Sequence, residues 1–138
     1  MVVAAVCAVT FHVSPSFSPA YEHAIHRALS LVSDASGMTF TESEDAMMLI
    51  EPLPPQQEFN NSGIAGAVQV GGYWGNHVYV AQPLPWAPEK HVGWFRTNIV
   101  IHELLHWLGL GHDVVDPVVL LSKPRLTPAE RAALAGRC

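Results

Sequence analysis

One stretch of the chain, residues 101–113, constrains the fold more than any other; it reads I-H-E-L-L-H-W-L-G-L-G-H-D. It carries five polar or glycine positions at fixed spacing: His102, Glu103, His106, Gly109 and His112. Residues four apart on an α-helix lie about 40° apart around the axis and about 6 Å apart along it. The spacing therefore predicts a helix that presents His102 and His106 on one face.

The same spacing predicts a metal site. Two imidazoles four residues apart on a helix can bind one metal ion. Gly109 accepts the left-handed backbone that ends a helix, so the reversed chain can return His112 as a third ligand. Three neutral imidazoles leave the charge of Zn²⁺ uncompensated, and a water in the fourth position is then strongly acidified. We therefore expect zinc as the cofactor, bound by His102, His106 and His112.

Glu103 is the candidate catalytic residue. It is rotated by about 100° from His102, so it can face the open coordination position and take a proton from the metal-bound water. The alternative is that these are surface histidines on an ordinary buried helix. Five fixed residues at these spacings arise by chance in about one in ten thousand chains of this length, or fewer, which favours the metal site.

Composition is typical of a small enzyme. The 138 residues are 49% hydrophobic, which favours one domain over residues 1–138. The net charge is −5 with 7 Lys+Arg and no basic run, so we expect no nucleic-acid partner. We also expect a monomer. Residues 1–13 form an apolar run. It lacks the leading Lys or Arg that is typical of a signal peptide, and it is too short to span a bilayer. We read it as a buried first strand, with no membrane span and the cytoplasm as the default location.

Two cysteines, Cys7 and Cys138, lie near opposite ends of the sequence. They can pair in an oxidising compartment, but two cysteines are not a disulfide framework, and their distance in the fold does not follow from the sequence. We expect free thiols.

The remaining pattern predicts alternating elements. A helix is expected over residues 20–33, with Ser18 as its cap, Pro19 at its first position and Glu22 in its first turn. Its core face is predicted to comprise Ile25, Ala28, Leu29 and Val32. Strands are expected over residues 38–42, 46–50, 63–72 and 76–82.

Two further helices are predicted near the C-terminus. The helix that carries the histidines is expected to start near Thr97, a plausible cap, and to run to Leu108. Thr127 and Glu130 form a capping box that opens a short helix to about Leu134.

The pattern H-E-x-x-H-x-x-G-x-x-H resembles the elongated zinc-binding consensus of the metzincin metallopeptidases. Two segments look most like the matrixin branch of this family: H-E-L-L-H-W-L-G-L-G-H, and M-T-F-T-E upstream of it. The resemblance implies an α+β, zincin-like fold: a twisted mixed β-sheet of four to five strands, a long N-terminal helix, a zinc-binding active-site helix and a short C-terminal helix. It also implies a zinc endopeptidase that hydrolyses protein or peptide substrates, with Glu103 as general base and acid.

The family would also bring an edge strand above the cleft, where an extended peptide binds by strand addition. Residues 75–82 and residues 66–72 are both candidates, and the sequence does not choose between them. Asp113 matches the residue that follows the third histidine in reprolysin-type members, and it is a candidate for supporting the metal ligands.

One departure from the family concerns the turn beneath the metal. Metzincins carry a methionine there, whereas residues 114–124 contain none. Leu120 or Leu121 can fill the apolar position under the ligands at little cost in packing, because leucine and methionine have similar volumes. This departure favours a divergent or miniature branch.

Two non-enzymatic readings remain beside the peptidase. One is a zinc-stabilised module that binds extended peptides without cleaving them, and the other is a component of a larger assembly with a protease-like fold. The retained Glu103 argues against the first, because a purely structural zinc site is more often closed by a fourth protein ligand. The peptidase is therefore the preferred interpretation.

Overall fold

The computed structural model describes residues 7–53, 66–69, 77–80, 92–111, 113–115 and 123–138. Within these residues the chain forms five strands and three helices. The strands are β1 (Ala8–Val13), β2 (Thr39–Glu42), β3 (Met48–Pro52), β4 (Gly66–Gln69) and β5 (His77–Val80). The helices are α1 (Pro19–Ser36), α2 (Val92–Trp107) and α3 (Pro128–Leu134).

The strands form one mixed sheet in the order β2-β1-β3-β5-β4. Strands β2, β1, β3 and β5 are parallel to one another. Strand β4 runs antiparallel to β5, with Gly66 opposite Val80 and Gln69 opposite His77. Of the two candidates for an edge strand, β4 lies at the edge of the described sheet and β5 lies inside it. The predicted mixture of helices and a mixed sheet is confirmed.

Helix α1 begins where its sequence predicts. The Ser18 hydroxyl accepts a hydrogen bond from the Tyr21 amide at 3.2 Å, and Pro19 occupies the first helical position. The helix runs three residues beyond the predicted Ser33 and ends at Gly37, whose φ of 76° is the left-handed conformation that terminates a helix. All four predicted core residues of this helix are buried.

One face of the sheet carries the core. Val78 and Val80 of β5 are fully buried, as their alternation predicts, and so are Met48 and Ile50 of β3. Helix α2 packs against β4, β5 and α1. In the contact with α1, the guanidinium of Arg96 lies 5.6 Å from the centre of the Tyr21 ring, within the range of a cation–π interaction.

The predicted start of α2 near Thr97 is wrong. The helix starts at Val92, and Thr97 lies inside it and is 2% exposed. The Thr97 hydroxyl donates to the Gly93 carbonyl at 3.1 Å, one turn earlier in the same helix. A threonine can satisfy its hydroxyl in this way within a helix, so it does not have to act as a cap.

The expectation of free thiols is also wrong, because Cys7 and Cys138 form a disulfide with their Cα atoms 5.5 Å apart. The fold brings the two ends together. The Thr39 amide donates to the Cys7 carbonyl at 2.8 Å, and the Cys138 amide donates to the Ser36 carbonyl at 3.1 Å. Both cysteines are therefore held at the junction between α1 and β2.

Helix α3 opens with the predicted capping box. The Thr127 hydroxyl accepts from the Glu130 amide at 3.1 Å, and the Glu130 carboxylate accepts from the Thr127 amide at 2.8 Å. The helix ends at Leu134, which is fully buried, and it packs against α1. None of the helices in the described part of the chain combines the length and apolarity needed to cross a membrane.

Candidate metal centre

Helix α2 supplies the candidate site because its two faces differ. His102 and His106 are only partly buried and lie one turn apart on one side. The side that faces away from them packs into the core through Ile101, Leu104, Leu105 and Leu108. The packing of the apolar side thus fixes the direction in which the histidines project.

The two imidazoles converge on one point. The Nε2 atoms of His102 and His106 are 3.0 Å apart, and the rings meet edge-on with their centroids 4.6 Å apart. Two imidazole ligands about 2.0–2.1 Å from a tetrahedral zinc ion would have their nitrogen atoms about 3.3 Å apart. The observed separation therefore fits a shared metal ion to within a few tenths of an ångström.

The backbone sets the tautomer of His106. Its Nδ1 lies 2.8 Å from the Leu110 carbonyl oxygen, which can only accept, so Nδ1–H donates. In the neutral ring this makes Nε2 the acceptor nitrogen, and it lies 3.0 Å from His102 Nε2. A histidine that binds a metal commonly donates its other ring N–H to a carbonyl in this way.

Gly109 builds the turn that places this carbonyl. Its φ of 94° reverses the chain, its amide donates to the His106 carbonyl at 2.9 Å, and the Leu110 amide donates to the Leu105 carbonyl at 3.0 Å. These two bonds form a Schellman motif, the hydrogen-bonded ending typical of helices that stop at glycine. The glycine of the sequence motif therefore both ends α2 and orients the ring of His106.

Glu103 follows His102 on α2, and its side chain is largely removed from solvent. It is 7% exposed, and burial alone raises the pKa of its carboxyl from the ordinary value of 4.5 to about 7. An ionised carboxylate is costly to bury without a cation or a donor nearby, so the metal-free site favours the protonated form. A buried, weakly acidic carboxyl on the helix that carries the two imidazoles is suited to proton transfer.

The other predicted site residues divide into two groups. Asp113 is exposed, and its Oδ1 would lie 2.9 Å from a Cβ placed on Gly111, so its carboxylate lies over that glycine. The predicted third ligand, His112, and the two leucines Leu120 and Leu121 lie outside the described residues. Among the described residues no group of three or more His, Cys, Asp or Glu side chains could hold a metal ion. The three-histidine site stays a prediction.

Two groups that contribute hydrogen bonds to this region were not predicted from the sequence. The first is the Leu110 carbonyl, although a glycine followed by an apolar residue after a helix is a signal for the Schellman motif. The second is Arg137, whose Nη2 donates to the Leu108 carbonyl at the end of α2. These two residues are 29 positions apart, and no local pattern reports such a contact.

Comparisons with known proteins give similarity to solved structures and no family assignment. No family model matches the chain, and no curated protein matches it significantly. Among solved structures, the chain is similar to high choriolytic enzyme 1, a hatching enzyme zinc-protease from Oryzias latipes (medaka fish). The match has 15% sequence identity and a TM-score of 0.47, and it covers 81% of this chain and 48% of that one. The chain thus spans about half the length of this protein.

Proposed function

We propose that this chain is a zinc-dependent endopeptidase, with His102, His106 and His112 as the metal ligands. The convergence of the His102 and His106 Nε2 atoms, 3.0 Å apart, carries this proposal. The Leu110 carbonyl supports it, because it holds His106 in the tautomer that a metal requires. Zinc, when bound, supplies a Lewis acid that polarises a peptide carbonyl and acidifies a water molecule.

Glu103 does the proton transfer in this proposal. Its carboxylate takes a proton from the attacking water while the new carbon–oxygen bond forms at the peptide carbonyl. It then delivers that proton to the leaving amine nitrogen as the carbon–nitrogen bond breaks, and returns to its starting form. The 7% exposure of Glu103 keeps bulk water away from a proton that must be passed on.

Strand β4 is the proposed docking edge for the substrate. It lies at the edge of the described sheet, antiparallel to β5, and α2 packs against both strands. An extended peptide that added to this edge would run beside the helix that carries the histidines. The opposite edge strand, β2, packs against α1. The β4 edge is therefore the one that pairs substrate binding with the candidate metal centre.

The decisive experiment measures cleavage of a quenched peptide library by the zinc-loaded chain and by the Glu103→Gln variant. We expect chelator-sensitive cleavage by the native chain and a loss of at least about 100-fold in the variant, the range typical of a lost general base. Zinc binding should persist, because Glu103 is not a proposed ligand. Glu44→Gln is the matched control, since Glu44 is exposed and lies far along the chain from α2.

Two outcomes would contradict the proposal. Full cleavage by Glu103→Gln would remove Glu103 from the reaction. Zinc binding by a folded native chain that cleaves no peptide in the library would instead favour the peptide-binding module considered above.

A further inference from the structure

Residues 137 and 138, here called the strap, contact the start of β1, the end of α1 and the end of α2. Cys138 is bonded to Cys7 at the start of β1, and its amide donates to the Ser36 carbonyl at the end of α1. The strap fits closely there, because a Cβ on Gly37 would lie 3.2 Å from the Cys138 carbonyl carbon. The backbone of residue 137 is fixed as well, since the Arg137 amide donates to the Leu134 carbonyl at 3.1 Å.

From this anchored position the side chain of Arg137 reaches the end of α2. Its Nη2 donates to the carbonyl of Leu108 at 2.5 Å. The last carbonyls of a helix have no partner within the helix, and the Schellman bonds at this end serve only the carbonyls of Leu105 and His106. Arg137 therefore supplies a donor, and a positive charge that complements the helix dipole, at the Leu108 carbonyl.

The Leu108 carbonyl lies immediately before the turn that orients His106. Gly109 follows it, and the carbonyl of Leu110, one residue later, accepts from His106 Nδ1. A chain of contacts thus runs from the disulfide through Arg137 and Leu108 to the ring of a proposed ligand. Partners behind a metal ligand commonly change metal affinity about 10–100-fold when removed.

We propose that Arg137 is a positioning residue for the metal centre, and that the Cys7–Cys138 disulfide holds it in place, so that metal affinity depends on the redox state of the disulfide. The inference rests on the proposed metal site but not on peptide cleavage. Loss of either the guanidinium or the disulfide frees the end of α2, and the Leu110 carbonyl then holds His106 less firmly.

The test compares Arg137→Met with Arg131→Met, an exposed arginine on α3 that serves as the matched control. The first readout is Zn²⁺ affinity, measured by competition with a chromophoric chelator near neutral pH. We expect a fall of about tenfold for Arg137→Met, at the lower end of the range for such partners, and a change within about twofold for Arg131→Met. The double variant Cys7→Ser/Cys138→Ser should lower the affinity in the same direction.

The second readout is the tautomer of His106 in the metal-free protein, observed by nitrogen-15 NMR of the ring. The native chain should show the Nδ1–H form, and Arg137→Met should show a mixture of both forms. A merely structural arginine would lower the melting temperature without moving this signal. The readout does not require peptide cleavage, so failure of the peptidase proposal would not decide it.

Circular dichroism establishes whether each variant is folded. If Arg137→Met does not fold, Arg137→Leu, which also removes the donor and the charge, and the double cysteine variant decide the question. Native zinc affinity together with a native His106 tautomer, in any folded variant that lacks the guanidinium or the disulfide, overturns the proposal.

Discussion

Burial of Glu103 should make the stability of the metal-free chain depend on pH. The pKa of this carboxyl rises from 4.5 to about 7 on folding, so the folded state holds the proton more tightly than the unfolded state does. Below the unfolded pKa the group is protonated in both states, and its contribution to stability is fully present. That contribution falls as the pH rises from 4.5 and is lost once the pH passes about 7.

The size of the effect follows from the two pKa values. A tenfold change in an acid dissociation constant corresponds to about 1.4 kcal/mol, so a rise in pKa from 4.5 to about 7 amounts to about 3 kcal/mol. This is a large fraction of the roughly 5–15 kcal/mol that stabilise a typical domain. At pH 8 the metal-free chain should therefore be less stable than it would be if Glu103 had the same pKa in the folded and the unfolded state.

The Glu103→Gln variant isolates this contribution, because glutamine has nearly the same shape and cannot ionise. We expect its stability to match that of the native chain near pH 4 and to exceed it by about 3 kcal/mol near pH 8. The assay is urea denaturation in the presence of a chelator, at a series of pH values for both proteins. Every other group cancels in the difference between the two curves.

A difference that stays flat between about pH 4 and about pH 8 would refute the reasoning. It would mean that the Glu103 carboxylate is stabilised in the folded chain as well as it is in water. Glu44→Gln serves as the control, because it makes the same chemical change at an exposed position outside α2.

Four further variants test the ends of helices. Gly109→Ala should destabilise the chain by about 1–2 kcal/mol, since a Cβ there meets no atom within 4 Å and only the φ of 94° opposes it. Gly93→Ala, inside α2 and also without a contact, should instead stabilise the chain by up to about 1 kcal/mol, and equal signs in thermal unfolding would contradict this account. Thr127→Ala should cost about 1 kcal/mol through loss of the capping box, whereas Thr127→Ser should stay close to the native value in the same assay.

Local features of the fold could be predicted from the sequence. Ser18 followed by Pro19, and Thr127 with Glu130 three residues later, are short-range patterns that carry their own hydrogen bonds, and both helix starts were predicted correctly. The alternation that buries Val78 and Val80 is equally local. In the candidate site, the spacing of His102 and His106 predicted their convergence on one face of a helix.

Features that depend on distant residues could not be predicted. The disulfide joins residues 131 positions apart, and only the assembled sheet shows that the two cysteines are neighbours. The choice between β4 and β5 as edge strand depends on pairing order, which the two short apolar runs do not encode. The start of α2 was misplaced for a different reason, because a threonine can cap a helix or bond within it, and the sequence alone does not distinguish these roles.

The disulfide also closes residues 7–138 into a covalent ring. Any single backbone cut between Cys7 and Cys138 opens this ring without releasing a fragment, because the two pieces remain joined through sulfur. A nicked molecule would therefore keep the mass of an intact one, apart from one added water, until a reductant separates its parts. If the chain cleaves peptide bonds, damage by its own activity would release separate fragments only under reducing conditions.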